Sequence, residues 1–562
     1  MTKIQIRIKK GKQGNTAAQE ETVLNCASGI IAETLIPEFG DQGMPIAAIR
    51  VNNEILSLTS GLEVNAEIEP VMLNSPEGTA IYRRSLAFLL AVAAKELFPD
   101  RRLYIGHSLG HSYYYTFTEG KNLSSGDIKN LSEKMQSLAQ KDLPISCRYM
   151  AYMEALELFE KNHQPDTALL LVARSESMVL VNECAGFVDL YIAPLLHKTG
   201  FLTAFELMSY HEGFLLRFPA TGQGQKIENF EDSPNLFDVY NEYKQWGRIV
   251  GVHAVGHLNS MISDNTFRDF IRIAEAFQEK RLAEIADQIY AKKSSVRTVL
   301  IAGPSSSGKT TTAKRLSIAL RVMGIQPIAI SLDDYYVGTD RTPLDEKGKP
   351  DYECLEALDI AYLNEQLMAL LAGQEITLPE YDFKTGSRKN EGGRTIRLDE
   401  KSMLIIEGIH GLNDALTPQI KRETKFKLYV SALTQLNLDD HNRIPTSDNR
   451  LLRRMVRDNQ FRGSAAQRTL QMWPSVQKGE KKHIFPFQNG ADAAFNTALD
   501  YELAVLKFYA EPILQSIKPW MREYAEAVRL RAFLGNFAPI RPQFVPGDSI
   551  LREFIGDSEF RY

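Results

Sequence analysis

The run Gly303-Pro-Ser-Ser-Ser-Gly308-Lys309-Thr310 follows the pattern G-x-x-x-x-G-K-[ST]. Glycines let a backbone wrap a phosphate, and successive N–H groups at a helix N-terminus bind anionic oxygens. The context fits, because the apolar run Val299–Ala302 precedes the loop and a helical pattern, Thr311–Leu320, follows it. Gly303, Pro304, Ser305, Ser306, Ser307, Gly308, Lys309, Thr310 and Thr311 are therefore expected to line a nucleoside triphosphate. Lys309 would reach the β- and γ-phosphates, and the Thr310 hydroxyl would ligate Mg²⁺.

Two carboxylate-bearing strand ends belong with this loop. The strand pattern Pro327–Leu332 ends at Asp333-Asp334-Tyr335-Tyr336, and Met403–Ile406 ends at Glu407-Gly408. In a parallel sheet such ends open on the crevice that holds the ligand. One acid can take a proton from an attacking hydroxyl, while another holds Mg²⁺ directly or through water. Arginine is the third ingredient. Arg450, Arg453, Arg454 and Arg457 follow i, i+3, i+4, i+7 and predict one cationic helix face opposite Leu451, Leu452, Met455 and Val456; Arg462-Gly463 closes the segment. Beside a phosphate loop, that face reads as a lid clamping phosphate oxygens.

The elements that must position these groups are spread over 562 residues, enough for about three or four domains. The N-terminal Lys3–Lys10 alternates polar and apolar, as a strand does and the apolar core of a leader does not. The longest clean apolar run, Leu86–Ala94, is too short to cross a bilayer. Net charge is −5, which supplies no overall basic field for nucleic acid or membrane. Four scattered cysteines without a C-x-x-C pair suit a reducing compartment, so a cytoplasmic protein with no membrane contact is expected.

Residues 1–74 read as strand, turn, helix and further strands, with turn chemistry at Asn52-Asn53, which suits a β-grasp fold. Helices are expected over Tyr82–Leu97, 124–141 and 149–161, with strands over Leu103–Tyr115. The span Pro219–Pro234 reads as a loop and Asn265–Lys292 as a long amphipathic helix. From residue 297, strands and helices alternate as in a doubly wound parallel α/β sheet. The expected fold class is α/β, a C-terminal P-loop sheet with N-terminal β-grasp and α+β domains. The units are 1–74, 75–215, a connecting segment 216–295, and 296–562.

From residue 297 to about 520 the chain resembles the uridine kinase and phosphoribulokinase family of P-loop kinases. The resemblance rests on GPSSSGKTT, SLDDYY, LPEYDFKTGSR, IIEGI and RRMVRDNQFRG in order. It implies Asp333 as general base on a sugar hydroxyl, with Tyr336, Asp359, Tyr381 and Arg388 at the acceptor. It also implies Glu407 supporting Mg²⁺ with Thr310, and Lys309, Arg454, Arg457 and Arg462 acting on phosphates. In uridine kinases a histidine in the YDF block reads the pyrimidine, and Gly386 stands at that position here. Leu358 replaces the phenylalanine before the ribose-binding aspartate. Ribose chemistry is retained and reading of the base is not.

Residues 1 to about 215 resemble the N-terminal region of threonyl-tRNA synthetases, a TGS β-grasp domain followed by an editing-type domain. The second part is carried by LFPDRRLYIGHSLGHSYYYTF and Asn182–Gly186. The editing domain's metal-type pairs align with Arg84 and Phe88, and with Cys184 and Val188. One remaining cysteine cannot hold zinc, which takes about four ligands; a non-catalytic binding or regulatory domain is expected. The pairs His107/His111 and His253/His257 are spaced i, i+4, but neither carries an H-E-x-x-H glutamate, and both read as packed or surface histidines.

The leading reading is thus a Mg²⁺-dependent kinase using ATP (or GTP) and a nucleoside as acceptor, with RNA contact through the N-terminal half and oligomeric state left open. The alternatives are a kinase for a sugar phosphate or other small alcohol, and a nucleotide-dependent tRNA-binding regulator. A GTP switch would need N-K-x-D to read guanine, and that tetrapeptide does not occur.

Overall fold

The computed structural model describes residues 2–9, 21–40, 43–117, 122–346, 348–382, 385–389 and 393–561. Lys10, Phe383 and Lys384, which the sequence places in a strand and in the YDF block, lie outside the described residues.

Strands β1 (Lys3–Lys9), β2 (Glu21–Ala27), β3 (Ile46–Val51), β4 (Glu54–Leu56) and β5 (Ala66–Met72) form one sheet in the order β2-β1-β5-β3-β4. β1 runs parallel to β5 and antiparallel to β2, the arrangement of a β-grasp. Alternation does its work in β1, where Ile4 and Ile6 are buried and Lys3, Gln5 and Arg7 face water. Asn52 and Asn53 turn β3 into β4 with φ of 47° and 65°, left-handed values that asparagine tolerates best after glycine.

Helix α1 (Pro76–Leu97) begins upstream of the expected Tyr82. Ser75 caps it by accepting the Gly78 N–H at 3.0 Å, and Pro76 takes the first helical position, where a missing N–H costs nothing. Strands β6 (Leu103–Ser108) and β7 (Ser112–Phe117) follow as expected, and α2 (Ser125–Gln140) covers the predicted 124–141. The helix expected over 149–161 is shorter, α3 (Tyr152–Lys161). Residues 149–151 belong instead to β8 (Ser146–Ala151), paired antiparallel with β9 (Met178–Cys184), which also pairs β10 (Phe187–Asp189). Between β8 and β9 runs α4 (Pro165–Val172). Strands β11 (Glu206–Tyr210) and β12 (Gly213–Arg217) complete a second sheet, β11-β12-β7-β6.

Three helices, α5 (Pro234–Val250), α6 (Val255–Ser263) and α7 (Phe267–Ala291), lead to the C-terminal sheet. That sheet is fully parallel: β14 (Gln326–Ser331), β15 (Ser402–Glu407), β13 (Thr298–Ala302), β16 (Lys425–Ser431) and β17 (Ala493–Asn496), in that order. Period-two alternation splits it between two cores. Val299, Ile301 and Ile405 pack with α7 and α8 (Lys309–Val322), while Leu300, Leu404 and Ile406 pack with Leu363, Leu367 and Leu370 of α9 (Ile360–Leu371). Both faces are covered, which is why these strands read as continuous apolar runs.

The loop after β16 ties the halves together. Asn437 Nδ2 donates to the Ile105 carbonyl at 2.6 Å, the Ile105 N–H donates to the Asp440 carbonyl, and His441 Nδ1 meets Asp189 at 2.8 Å. No helix among the described residues is long and apolar enough to cross a membrane.

Candidate active site

The phosphate loop leaves β13 at its C-terminal end and enters α8 through Gly308, whose φ is +81°. Gly303 can only be glycine, since a Cβ there would lie 1.8 Å from the Val430 carbonyl oxygen on the neighbouring strand. Ser306 also holds a positive φ, +58°, and the hydroxyls of Ser306 and Ser307 are buried with no hydrogen-bond partner among the described residues. A tight loop with strained backbone and unsatisfied donors is a cradle for an anion. Lys309 Nζ donates to the Pro304 carbonyl at 3.2 Å, folded back over the loop.

Glu407 ends β15, one strand away. Thr310 Oγ1 donates to its Oε1 at 3.2 Å, and Ser331 Oγ, ending β14, donates to the same oxygen at 3.1 Å. Burial, then the charge of Asp333, pushes the Glu407 carboxyl up to about 7, against the pull of Lys309. The sheet therefore brings Lys309, Thr310, Ser331, Asp333 and Glu407 to one edge. Ser331 opens the SLDDYY block but was not among the candidate site residues.

Asp333 and Asp334 part ways. Asp334 Oδ1 accepts the Tyr381 N–H at 3.2 Å and pins that segment, and burial raises its carboxyl. Asp333 carries no such backbone duty, and its charge is felt at Glu407, Arg462 and Tyr336.

The arginine helix corrects the expectation of a lid. In α10 (Thr446–Phe461) the apolar face is buried as expected, but Arg450 and Arg453 are buried too, Arg453 completely. Arg453 pairs with Glu502 and donates to the Thr497 carbonyl at 2.8 Å. Arg450 Nη2 donates to Glu480 Oε2 at 2.8 Å, and its Nη1 to the Ser305 carbonyl at 3.1 Å. These two hold the loop to the core. Arg454 remains nearer the surface and donates to Ser305 Oγ at 2.8 Å. Asp458 gathers Arg454 at 3.3 Å, Arg457 at 2.9 Å and Arg462 at 3.6 Å. Helical spacing marks a cationic face, but what covers each residue of it is a tertiary matter.

Two further acids touch the loop from sequence-distant elements. Glu480, on α11 (Ala466–His483), accepts the Ser305 N–H at 3.0 Å. Glu553, on the short α12 (Arg552–Ile555), accepts from the Thr311 N–H at 3.2 Å and its hydroxyl at 2.6 Å. No motif announces either.

On the acceptor side, the rings of Tyr336 and Tyr381 lie 5.6 Å apart. Asp359 caps α9 by accepting the Tyr362 N–H at 3.1 Å, and its other oxygen meets Arg388 at 3.2 Å. Arg388 also donates to the Tyr335 carbonyl at 2.9 Å. Gly386 has φ +69°, and a Cβ there would meet Thr339 Oγ1 at 2.4 Å, so this backbone admits no side chain. In the N-terminal half, Arg84 donates to the Pro194 carbonyl at 3.2 Å, Phe88 packs on Phe187 at 5.8 Å, and Val188 is buried. Burial, then Glu96, pushes the Cys184 thiol up to about 11.

Known proteins resemble the two halves separately. The model of the Phosphoribulokinase / Uridine kinase family matches residues 298–504, less than half of the chain. The N-terminal region is similar to Threonine–tRNA ligase of Desulfovibrio desulfuricans, 36% identical over 157 residues, which are 28% of this chain and 24% of that protein. Threonine–tRNA ligase 2 of Bacillus subtilis is 34% identical over 163 residues, 29% of this chain and 25% of that one. The chain thus spans about a quarter of the length of these curated relatives. Among solved structures, a possible uridine kinase from Bacillus stearothermophilus aligns with TM-score 0.27 and 24% identity, covering 39% of this chain and 98% of its own. D-glycerate 3-kinase from Cryptococcus neoformans aligns with TM-score 0.22 and 15% identity over 45% and 87%. Residues 298–504 thus match the Phosphoribulokinase / Uridine kinase family model on a fully parallel sheet with a phosphate loop, behind a region similar to threonyl-tRNA synthetases.

Proposed function

We propose that this chain is a kinase transferring the γ-phosphoryl group of ATP to a hydroxyl of a ribonucleoside. The observation that carries the reading is the convergence of Thr310 Oγ1 and Ser331 Oγ on one Glu407 oxygen, beside Lys309 and Asp333. A carboxyl raised to about 7 by burial, and then by the neighbouring Asp333, is one whose ionised form a bound cation would favour. Oxygen donors of this kind suit Mg²⁺, which Thr310 and Glu407 would hold, and which when bound neutralises charge on the transferring phosphates.

The chain's own groups do the rest. The loop amides and Lys309 fix the triphosphate, and Arg454, Arg457 and Arg462 contact its oxygens as charge develops. Asp333 accepts the acceptor hydroxyl's proton as the new O–P bond forms and the bond to the β-phosphate oxygen breaks. Tyr336 and Tyr381 stack the acceptor, and Asp359 with Arg388 meets its sugar. With no side chain available at Gly386, base choice rests on stacking and shape.

We assign residues 75–215 to non-catalytic binding, with RNA contact through the N-terminal half (1–74 and 75–215) an open alternative, 216–295 to connection and 296–562 to catalysis. Four unpaired cysteines support a reducing, cytoplasmic setting. The test is a screen of the purified chain with ATP or GTP against the common nucleosides. Phosphorylation of a ribonucleoside is expected. Transfer only to sugar phosphates or simple alcohols refutes the acceptor, and no transfer at all refutes the kinase.

A further inference from the structure

The pair His253/His257 reads from sequence as packed or surface histidines, and the fold brings it a third group. His253 lies in the α5–α6 connection, and His257 lies in the first turn of α6. Their rings sit 4.2 Å apart and both face Asp166, the second residue of α4. His253 Nε2 lies 3.3 Å from Asp166 Oδ2 and His257 Nε2 3.9 Å from Oδ1, with the three donor atoms all within 4.8 Å of one another. Bonds of about 2.0–2.1 Å to a tetrahedral cation put its ligands about 3.3 Å apart, so closure needs only small rotamer shifts.

The surroundings are those of a metal site. Outer groups fix the ligand. Arg102 Nη2 donates to Asp166 Oδ2 at 3.2 Å, and Asp440, itself paired with Arg102, accepts the N–H groups of Asp166 and Thr167 at 3.1 Å each. The His253 and His257 side chains are 33% and 27% exposed and Asp166 4%, which gives an entry path to a buried anchor. The other i, i+4 pair has no such convergence, since His107 stacks on Tyr240 at 5.7 Å while His111 faces Glu228 at 3.6 Å.

We infer that Asp166, His253 and His257 form a binding site for a divalent transition-metal cation of the zinc class. Two imidazoles and one carboxylate select such ions over Mg²⁺ or Ca²⁺. The site lies apart from the phosphate loop and does not depend on the kinase reading. A bound ion would clasp α4 to α6, tying the region similar to the synthetases to the helices that enter the kinase sheet. The ligand set is also distinct from the degraded Cys184 position.

The test is titration of the chelator-stripped full chain with Co²⁺, read by its d–d absorption and by competition with a chromophoric chelator. One Co²⁺ per chain is expected, displaced by Zn²⁺, with no thiolate charge-transfer band and unchanged binding in Cys184→Ser. The double variant His253→Gln/His257→Gln, whose partly exposed side chains leave Asp166 paired with Arg102, should lose the site while melting as a folded protein. Absence of stoichiometric binding in the wild type, or equal binding in the double variant, overturns the assignment and leaves a hydrogen-bonded cluster.

Discussion

Glu407→Gln should make the free protein more stable and the enzyme worse. The native carboxyl is buried, accepts hydroxyls from Thr310 and Ser331, and titrates near 7 rather than at 4.5 because burial and Asp333 disfavour its charge. The folded state holds this proton more tightly than the unfolded chain. Its contribution to stability is therefore fully present below pH 4.5 and is lost as pH rises to about 7. At about 1.4 kcal/mol per decade, the loss reaches about 3 kcal/mol at pH 8 and is still about 1 kcal/mol at pH 5.5. Glutamine keeps the acceptor oxygen and removes the charge. In chemical denaturation without nucleotide or Mg²⁺, the transition of the C-terminal half should shift to higher denaturant in the variant, with the gap narrowing from pH 8 to pH 5.5. Phosphoryl transfer should meanwhile collapse and the Mg²⁺ requirement rise. Equal stabilities at pH 8, or full turnover at wild-type Mg²⁺, would sink the argument that this carboxylate is a cation site held under electrostatic strain.

Lys309→Ala should abolish transfer while leaving the fold intact, because among the described residues Nζ hydrogen-bonds only the Pro304 carbonyl and the change empties no core; near-normal turnover with any acceptor refutes its role. Asp333→Asn should lower turnover by about 10²–10⁴-fold with ATP affinity little changed, the usual scale of general-base help, and an unchanged rate would remove Asp333 from proton transfer. Arg453→Ala leaves Glu502 buried without its cation, with the Asn449 amide still donating to it, and should cost about 3–5 kcal/mol, whereas Arg454→Ala should spare the melt and cut turnover; the reverse pattern in paired melts and rates would invert the assignment. Ribonucleosides should outperform 2′-deoxynucleosides in steady-state rates, since a site built around Asp359 and Arg388 is penalised when a hydroxyl is missing; equal rates would release Asp359 from the sugar.

Local physics made much of this molecule readable before folding. The phosphate loop is legible because its glycines answer to backbone geometry within a few residues. The strands Thr298–Ala302 and Ser402–Glu407 are legible because a strand covered on both faces needs unbroken apolar residues. The Asn52-Asn53 turn reads directly from φ preference. The start of α1 was also written in the sequence, in Ser75-Pro76, but apolar periodicity was the wrong signal for finding it.

What folding decided is which distant side chains share a space. Periodicity aligned Arg450, Arg453, Arg454 and Arg457 on one helix face, and only Glu480 and Glu502 on other helices turned two of them into buried supports. Asp333 and Asp334 are interchangeable as letters; the Tyr381 N–H separates them. Ser331, Glu480 and Glu553 reach the loop, and Asp166 meets His253 and His257, through contacts between residues tens to hundreds of positions apart. By itself the sequence determined the phosphate loop, the parallel sheet and the acids at its edge, because those follow from backbone geometry and burial pattern over short spans. The pairings that tune charge at the site, and the convergence that makes a metal-binding triad, were decided by tertiary structure alone, because electrostatics acts across space and no local pattern records who will be the neighbour.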